Sequence, residues 1–142
     1  MTDLIAIAHE HIEAVIDKRV EEIIDRYAAS AETYVFLEGP RWSTISHDKI
    51  ATGWRAFVDA PMSLVAFKWT EGPLTEVVGD MGWVAGIIEL SVRFGDEVKT
   101  LALRGTYVMR CDADGKWRIS HEHFSQPLAD PYGIGDWLKK PE

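Results

Sequence analysis

Three strand-like runs, residues 83–94, 98–111 and 116–125, follow one another with only tight turns between them, Gly95-Asp96 and Asp112-Ala113-Asp114-Gly115. Glycine after Asp or Asn is the chemistry that reverses a chain within a few residues. Connections this short leave no room for a crossover helix, so the three runs predict an antiparallel meander. Long strands twist, and a sheet built from them curves and needs a cover on its apolar side.

The N-terminal half supplies that cover. In residues 4–27 the apolar positions Ile5, Ile12, Val15, Ile16, Val20, Ile23, Ile24 and Tyr27 recur at helical spacing, which predicts one long amphipathic helix with Thr2 or Asp3 as its N-cap. His9 and His11 point in different directions near its start and are read as solvated surface or rim residues. TYVFLEGP, residues 33–40, predicts a short strand running into a turn. Ser46 then caps a second helix whose apolar face is Ile50, Trp54, Phe57 and Val58, and Pro61 stops it. Residues 64–70 and 74–79 predict two further strands joined across Glu-Gly-Pro. The expectation is an α+β fold, one domain over residues 1–142, with the helices on one side of a strongly curved antiparallel sheet. Residues 127–142 form a tail with three prolines and two glycines, in which Trp137 and Leu138 are candidates for docking.

A hydrophobic fraction of 46% and a charged fraction of 27% are those of a soluble globular chain, and no apolar run approaches the roughly 18 residues of a membrane span. A net charge of −8 disfavours contact with the phosphate backbone of nucleic acid. Neither a membrane nor a nucleic acid is an expected partner. The opening MTDLIAIAHEHIEAVIDKR lacks the basic and then apolar order of a signal peptide, and Cys111 is the sole cysteine. Both features fit a reducing cytoplasm.

The last hairpin carries the densest chemistry, GKWRISHEHFSQP at residues 115–127. Read as a three-residue turn with Gly115 left-handed, it pairs Asp112 with Lys116, Arg110 with Arg118, Val108 with Ser120, Thr106 with Glu122 and Arg104 with Phe124. One face then displays Arg104, Thr106, Val108, Ser120, Glu122 and Phe124, and the other Tyr107, Met109, Trp117, Ile119, His121 and His123. Either face can line a cavity while the other meets a second subunit.

Glu122, mid-strand beside Thr106 and near Arg104, is the general-base candidate; an ion pair with Arg104 is the competing role. Glu89 has a weaker case of the same kind. His121 and His123 share a side, as acid/base or ligand-contacting groups or as structural ones. A metal centre needs a third ligand, and none stands clearly on their face, so no metal is expected. Arg104, Thr106, Tyr34 and Trp54 are the candidate ligand contacts, and Trp69 is a further aromatic surface. With no phosphate loop, dinucleotide fingerprint or nucleophile motif, no cofactor is expected.

The order of elements, with DGKWRISHEHFS at its end and YVFLEGP and IATGW before it, resembles the SnoaL-like branch of the nuclear transport factor 2-like superfamily. The series Lys116, Trp117, His121, His123 and Ser125 also resembles the association domain of calcium/calmodulin-dependent protein kinase II. The resemblance implies a cone-shaped α+β barrel with a pocket at its wide end and dimerisation through the outer sheet face. It implies a function less sharply, since ketosteroid isomerases, polyketide cyclases, dehydratases, epoxide hydrolases, transport factors and oligomeric hubs share the fold. Of the arginines that line the kinase domain's pocket, those matching Val108 and Phe124 are not arginine here. The expected partners are a second copy of the chain, in a homodimer or larger assembly, and a small organic molecule.

Overall fold

Asp3 starts the first helix, α1 (Leu4–Ile16), by accepting from the Ala6 N–H at 3.1 Å. The structure is a computed structural model that describes residues 2–37 and 39–138. The predicted single helix is broken: Lys18 takes a left-handed φ of 54°, the Arg19 N–H bonds back to the Ala14 carbonyl at 3.0 Å, and α2 (Val20–Asp25) starts in a new direction. The Lys18 ammonium donates to the Ala60 carbonyl at 3.1 Å, which ties the break to the end of α3 (His47–Asp59).

β1 (Tyr34–Phe36) and β2 (Thr44–Ile45) precede α3, and β3 (Met62–Val78), β4 (Met81–Phe94), β5 (Glu97–Cys111) and β6 (Trp117–Ser125) follow it. The sheet order is β2-β1-β6-β5-β4-β3. The meander is antiparallel as the turns predict, but β1 joins β6 in parallel, which makes the sheet mixed. The architecture is α+β, an open curved sheet with its helices packed on one face. Residues 64–70 and 74–78 belong to one continuous strand whose register slips around Glu71, and Gly79 falls in the turn to β4.

The Asp112–Gly115 turn has the expected form, with Gly115 at φ 84° and the Asp112 N–H donating to the Lys116 carbonyl at 2.9 Å. Arg118 fixes it by bonding Asp112 and Asp114, the latter held down to a pKa of about 2 by that guanidinium. The core between helices and sheet contains Ile12, Val15, Ile23, Val35, Ile50, Val84, Ile88, Leu103, Met109 and Ile119, all buried. Among the described residues, no helix is long and apolar enough to cross a membrane. In the tail, Trp137 and Leu138 are exposed, with Trp137 stacked on Tyr132.

Gly86 of β4 faces Gly105 of β5. A Cβ on Gly86 would press into the Glu71 carbonyl, a backbone atom, and against the Trp69 ring. The Glu71 carbonyl cannot retreat without moving the β3 backbone, so Gly86→Ala is expected to cost about 1–3 kcal/mol, read as a lower urea midpoint at an unchanged slope.

Candidate functional site

One extra residue in β6 decides which side chains enter the interior. Register follows the prediction as far as Arg110 with Arg118 and Met109 with Ile119, then slips, so that Val108 faces His121, Tyr107 faces Glu122 and Thr106 faces His123. Ser120 is the bulged residue, and its hydroxyl donates to the Val108 carbonyl at 3.2 Å. Because of the bulge, Ile119 and Glu122 both point inward although they are three residues apart.

Beyond the bulge the predicted faces of β6 are exchanged, while Tyr107, Met109 and Ile119 share the inner face as predicted. Glu122 and Phe124 join Tyr107 inside, whereas His121 and His123 join Thr106 and Val108 outside. Arg104 is exposed and donates to the Ser125 hydroxyl at 3.3 Å, so it stands on the opposite side of the sheet from the buried Glu122 side chain. His121 Nδ1 lies 2.5 Å from the Tyr34 carbonyl, and the rings of Tyr34, Phe36, His121 and His123 cluster on the outer edge. Trp69 donates to His9 Nε2 at 3.0 Å, and Glu89 lies 3.6 Å from the Lys68 ammonium. Among the described residues, no three of His, Cys, Asp and Glu gather in the manner of a metal site.

Of the predicted residues, Glu122 and Trp54 come together at an interior cavity of about 80 Å³. Its walls are largely apolar, with Ile12, Val15, Leu64, Ile88, Leu90 and Phe124 among them, and it has room for a few waters or a small ligand group. Polar groups around Glu122 include Tyr27, Tyr107 opposite it in the β5–β6 ladder and, behind Tyr27, His11. Tyr27 is held next to β6 by the Ile119 N–H donating to the Arg26 carbonyl at 2.7 Å and the Ala28 N–H donating to the Ile119 carbonyl at 2.9 Å. Its hydroxyl donates to Glu122 Oε1. Burial, then the neighbouring Glu122 carboxylate, raises the Tyr27 pKa well above its ordinary value, so the phenol stays a donor.

His11 is not a rim residue. It falls on the buried stripe Leu4, Ala8, His11, Ile12, Val15 of α1, is 3% exposed, and places Nε2 3.3 Å from the Tyr27 hydroxyl. Tyr27, Trp54 and Tyr107 surround its ring edge-on. Desolvation, helped by the Arg26 charge, lowers its pKa to about 3, so the imidazole is neutral. The Trp54 indole N–H is buried and makes no hydrogen bond of ordinary length to any described residue, although it lies close enough to the Tyr27 oxygen to favour the phenolate slightly.

The buried stripe of α1 was a sequence signal for His11, since a histidine at i, i+4 and i+7 spacing from Leu4 and Ala8 shares their face. Tyr27 has the same kind of signal as the last apolar position of the helical pattern. Its approach to Glu122 needs both the helix break and the bulge, and neither is a local pattern.

Residues 5–129 match the family described as the SnoaL-like domain. The chain belongs to this family. Solved structures of nuclear transport factor 2-like proteins share the fold. A Xanthomonas campestris protein, provisionally described as a calcium/calmodulin-dependent protein kinase II association domain, superposes at a TM-score of 0.73 with 17% identity, covering 87% of this chain and 85% of that one. A ketosteroid isomerase-like protein from Erwinia carotovora atroseptica gives 0.69 with 15% identity, over 86% of this chain and 93% of that one. A nuclear transport factor 2-like protein of unknown function from Pseudomonas putida gives 0.68 with 19% identity, over 97% and 94% respectively. No curated protein matches the sequence significantly.

Proposed function

We propose that this SnoaL-like chain binds a small, mostly apolar organic molecule in the interior cavity and moves a proton on it without a cofactor, with Glu122 as the base. The observation that carries the reading is a carboxylate 2% exposed at the wall of an apolar cavity, anchored by the Tyr27 hydroxyl. A carboxylate removed from water is a stronger base toward carbon acids than a hydrated one. The Trp54 N–H is a ready donor to a ligand carbonyl oxygen, on which charge develops when the adjacent carbon loses its proton. Isomerisation, cyclisation and dehydration all begin with such a step, and the Erwinia neighbour's ketosteroid isomerase-like description supports it. The reading includes a reducing, cytoplasmic setting, in keeping with Cys111 as the chain's one cysteine.

The direct assay incubates the protein in D₂O with a panel of apolar ketones and enones and reads deuterium at the carbon next to the carbonyl. Incorporation above the buffer rate supports proton abstraction. Tight binding of a panel member with no incorporation favours the second reading, a non-catalytic ligand-binding or oligomerisation module like the kinase II association domain.

The outer sheet face bears on both readings, for exposed Trp83 lies there across from Val108 in the ladder. Apolar surface of this kind fits a second copy of the chain, and a homodimer is part of both readings. Sedimentation at micromolar concentration is expected to give twice the chain mass, and Trp83→Lys to give the monomer mass; a wild-type monomer would remove the dimer from the proposal.

A further inference from the structure

Two cavities meet at His11. One is the apolar cavity of Glu122 and Trp54; the other is a polar cleft of about 170 Å³ walled by Glu10, Glu22, Asp25, Arg26 and Lys116. Among the described residues, His11 is the one that lines both. The cleft is roomy enough for several waters, and its charged walls hydrate readily. His11 Nε2 is turned to Tyr27, whose hydroxyl donates on to Glu122. Nδ1 is buried and has no protein partner among the described residues, and a buried ring nitrogen left in this way calls for a water.

We propose that His11 is a proton-exchange residue linking the Glu122–Tyr27 pair to water in the polar cleft. The proposal rests on the reading above, in which Glu122 gains and loses a proton. With Glu122 ionised, Tyr27 donates to the carboxylate, the Tyr27 oxygen accepts from His11 Nε2–H, and the Nδ1 lone pair meets cleft water. With Glu122 protonated, every donor reverses: the carboxyl O–H donates to the Tyr27 oxygen, Tyr27 donates to Nε2, and the ring proton sits on Nδ1. Passage from the first state to the second moves a proton from hydronium to Nδ1, the Nε2 proton to the Tyr27 oxygen, and the Tyr27 proton to Glu122. The net result is one proton taken from the cleft and one gained by the carboxylate, with no change in oxidation state.

A ring held neutral suits this role, because it accepts at one nitrogen and donates at the other. The charged and titratable groups that bear on His11 from the packed elements are Glu10 on its own helix, Glu22, Asp25 and Arg26 around α2, Tyr27, Tyr107 on β5, Lys116 before β6 and Glu122. Arg26 is the one that acts directly against a second ring proton.

Histidine labelled with ¹⁵N at both ring positions reads the tautomer by NMR. Wild-type protein at pH 8 is expected to carry the Nε2–H form at His11. Glu122→Met removes the carboxylate, leaves Nε2 as the Tyr27 hydroxyl's acceptor, and is expected to change the ring to the Nδ1–H form; adding Tyr27→Phe is expected to abolish that dependence. The same tautomer in folded wild type and folded Glu122→Met overturns the relay. A second readout needs no variant: the wild-type ring N–H is expected to exchange with water within a second, whereas the backbone N–H of buried Ile12 persists far longer. Ring exchange as slow as that amide overturns the proposal as well. Neither readout uses a substrate. A responsive His11 without deuterium incorporation therefore counts against the acid/base reading alone, and incorporation with an unresponsive His11 counts against the relay alone.

Discussion

Glutamine in place of Glu122 is expected to lower deuterium incorporation by about 10²–10⁴-fold, mainly in kcat, the range associated with a positioned general base. The substitution keeps the side chain's shape and leaves an amide oxygen for the Tyr27 hydroxyl, so the buried phenol retains an acceptor. What is lost is a group able to take a proton. Stability should change little, because a weaker neutral hydrogen bond replaces a charge-assisted one while the cost of burying an ion disappears. Glu122→Asp keeps the charge but withdraws it by one methylene from Tyr27 and the cavity, and a displacement of about 1 Å is worth on the order of 10²-fold. The expected ranking is wild type, Asp, then Gln, with KM nearly constant. Unchanged incorporation in a folded Glu122→Gln protein would remove Glu122 from the mechanism and leave the cavity as a binding site.

Why Glu122 sits where it does was only half legible in the sequence. The meander, its tight turns, the Ser46 cap and the stop before Pro61 are local patterns, and the structure bears them out. The turn at Gly115 fixes the register of the first residues of β6 in the same local way. A bulge is different: it adds a single residue whose only signature is burial on one side, and Ser120 looks like any strand serine. Strict alternation therefore placed the two histidines with Tyr107, where Glu122 belongs. Lys18 was hidden for a related reason, since its left-handed φ is imposed by docking on the end of α3 and not by its own propensity. The parallel union of β1 with β6 joins residues almost 90 apart, and no local pattern reports such a partner. Tyr27, His11 and Glu122 become neighbours only through these non-local features, which is why a candidate base was readable and its surroundings were not.

The same burial that makes His11 neutral should leave a mark on acid stability. Its pKa is lowered from 6.5 to about 3 in the folded chain, so between those values the unfolded chain holds a proton that the folded chain refuses. Stability is fully present above pH 6.5 and falls as the pH drops, by about 1.4 kcal/mol per pH unit for one proton. From pH 6.5, where the unfolded imidazole is half protonated, to pH 4.5 the loss is about 2 kcal/mol, a sizeable part of the usual margin of about 5–15 kcal/mol. Asp25 and Asp114, whose pKa values are lowered by their Lys116 and Arg118 partners, act in the same direction but below pH 4, as their carboxylates protonate. The window between is therefore the place to observe His11. His11→Phe, which retains an aromatic ring among Tyr27, Trp54 and Tyr107, is expected to flatten the slope there even if it shifts the overall stability. Urea unfolding at half-unit steps of pH measures both slopes. Repeating the pair in a Glu122→Gln background keeps any proton taken up by that carboxyl out of the difference. Equal slopes with His and with Phe at position 11 would mean that the folded chain lets the imidazole protonate near its ordinary pKa, and that the ring is reached by water far more freely than its 3% exposure implies.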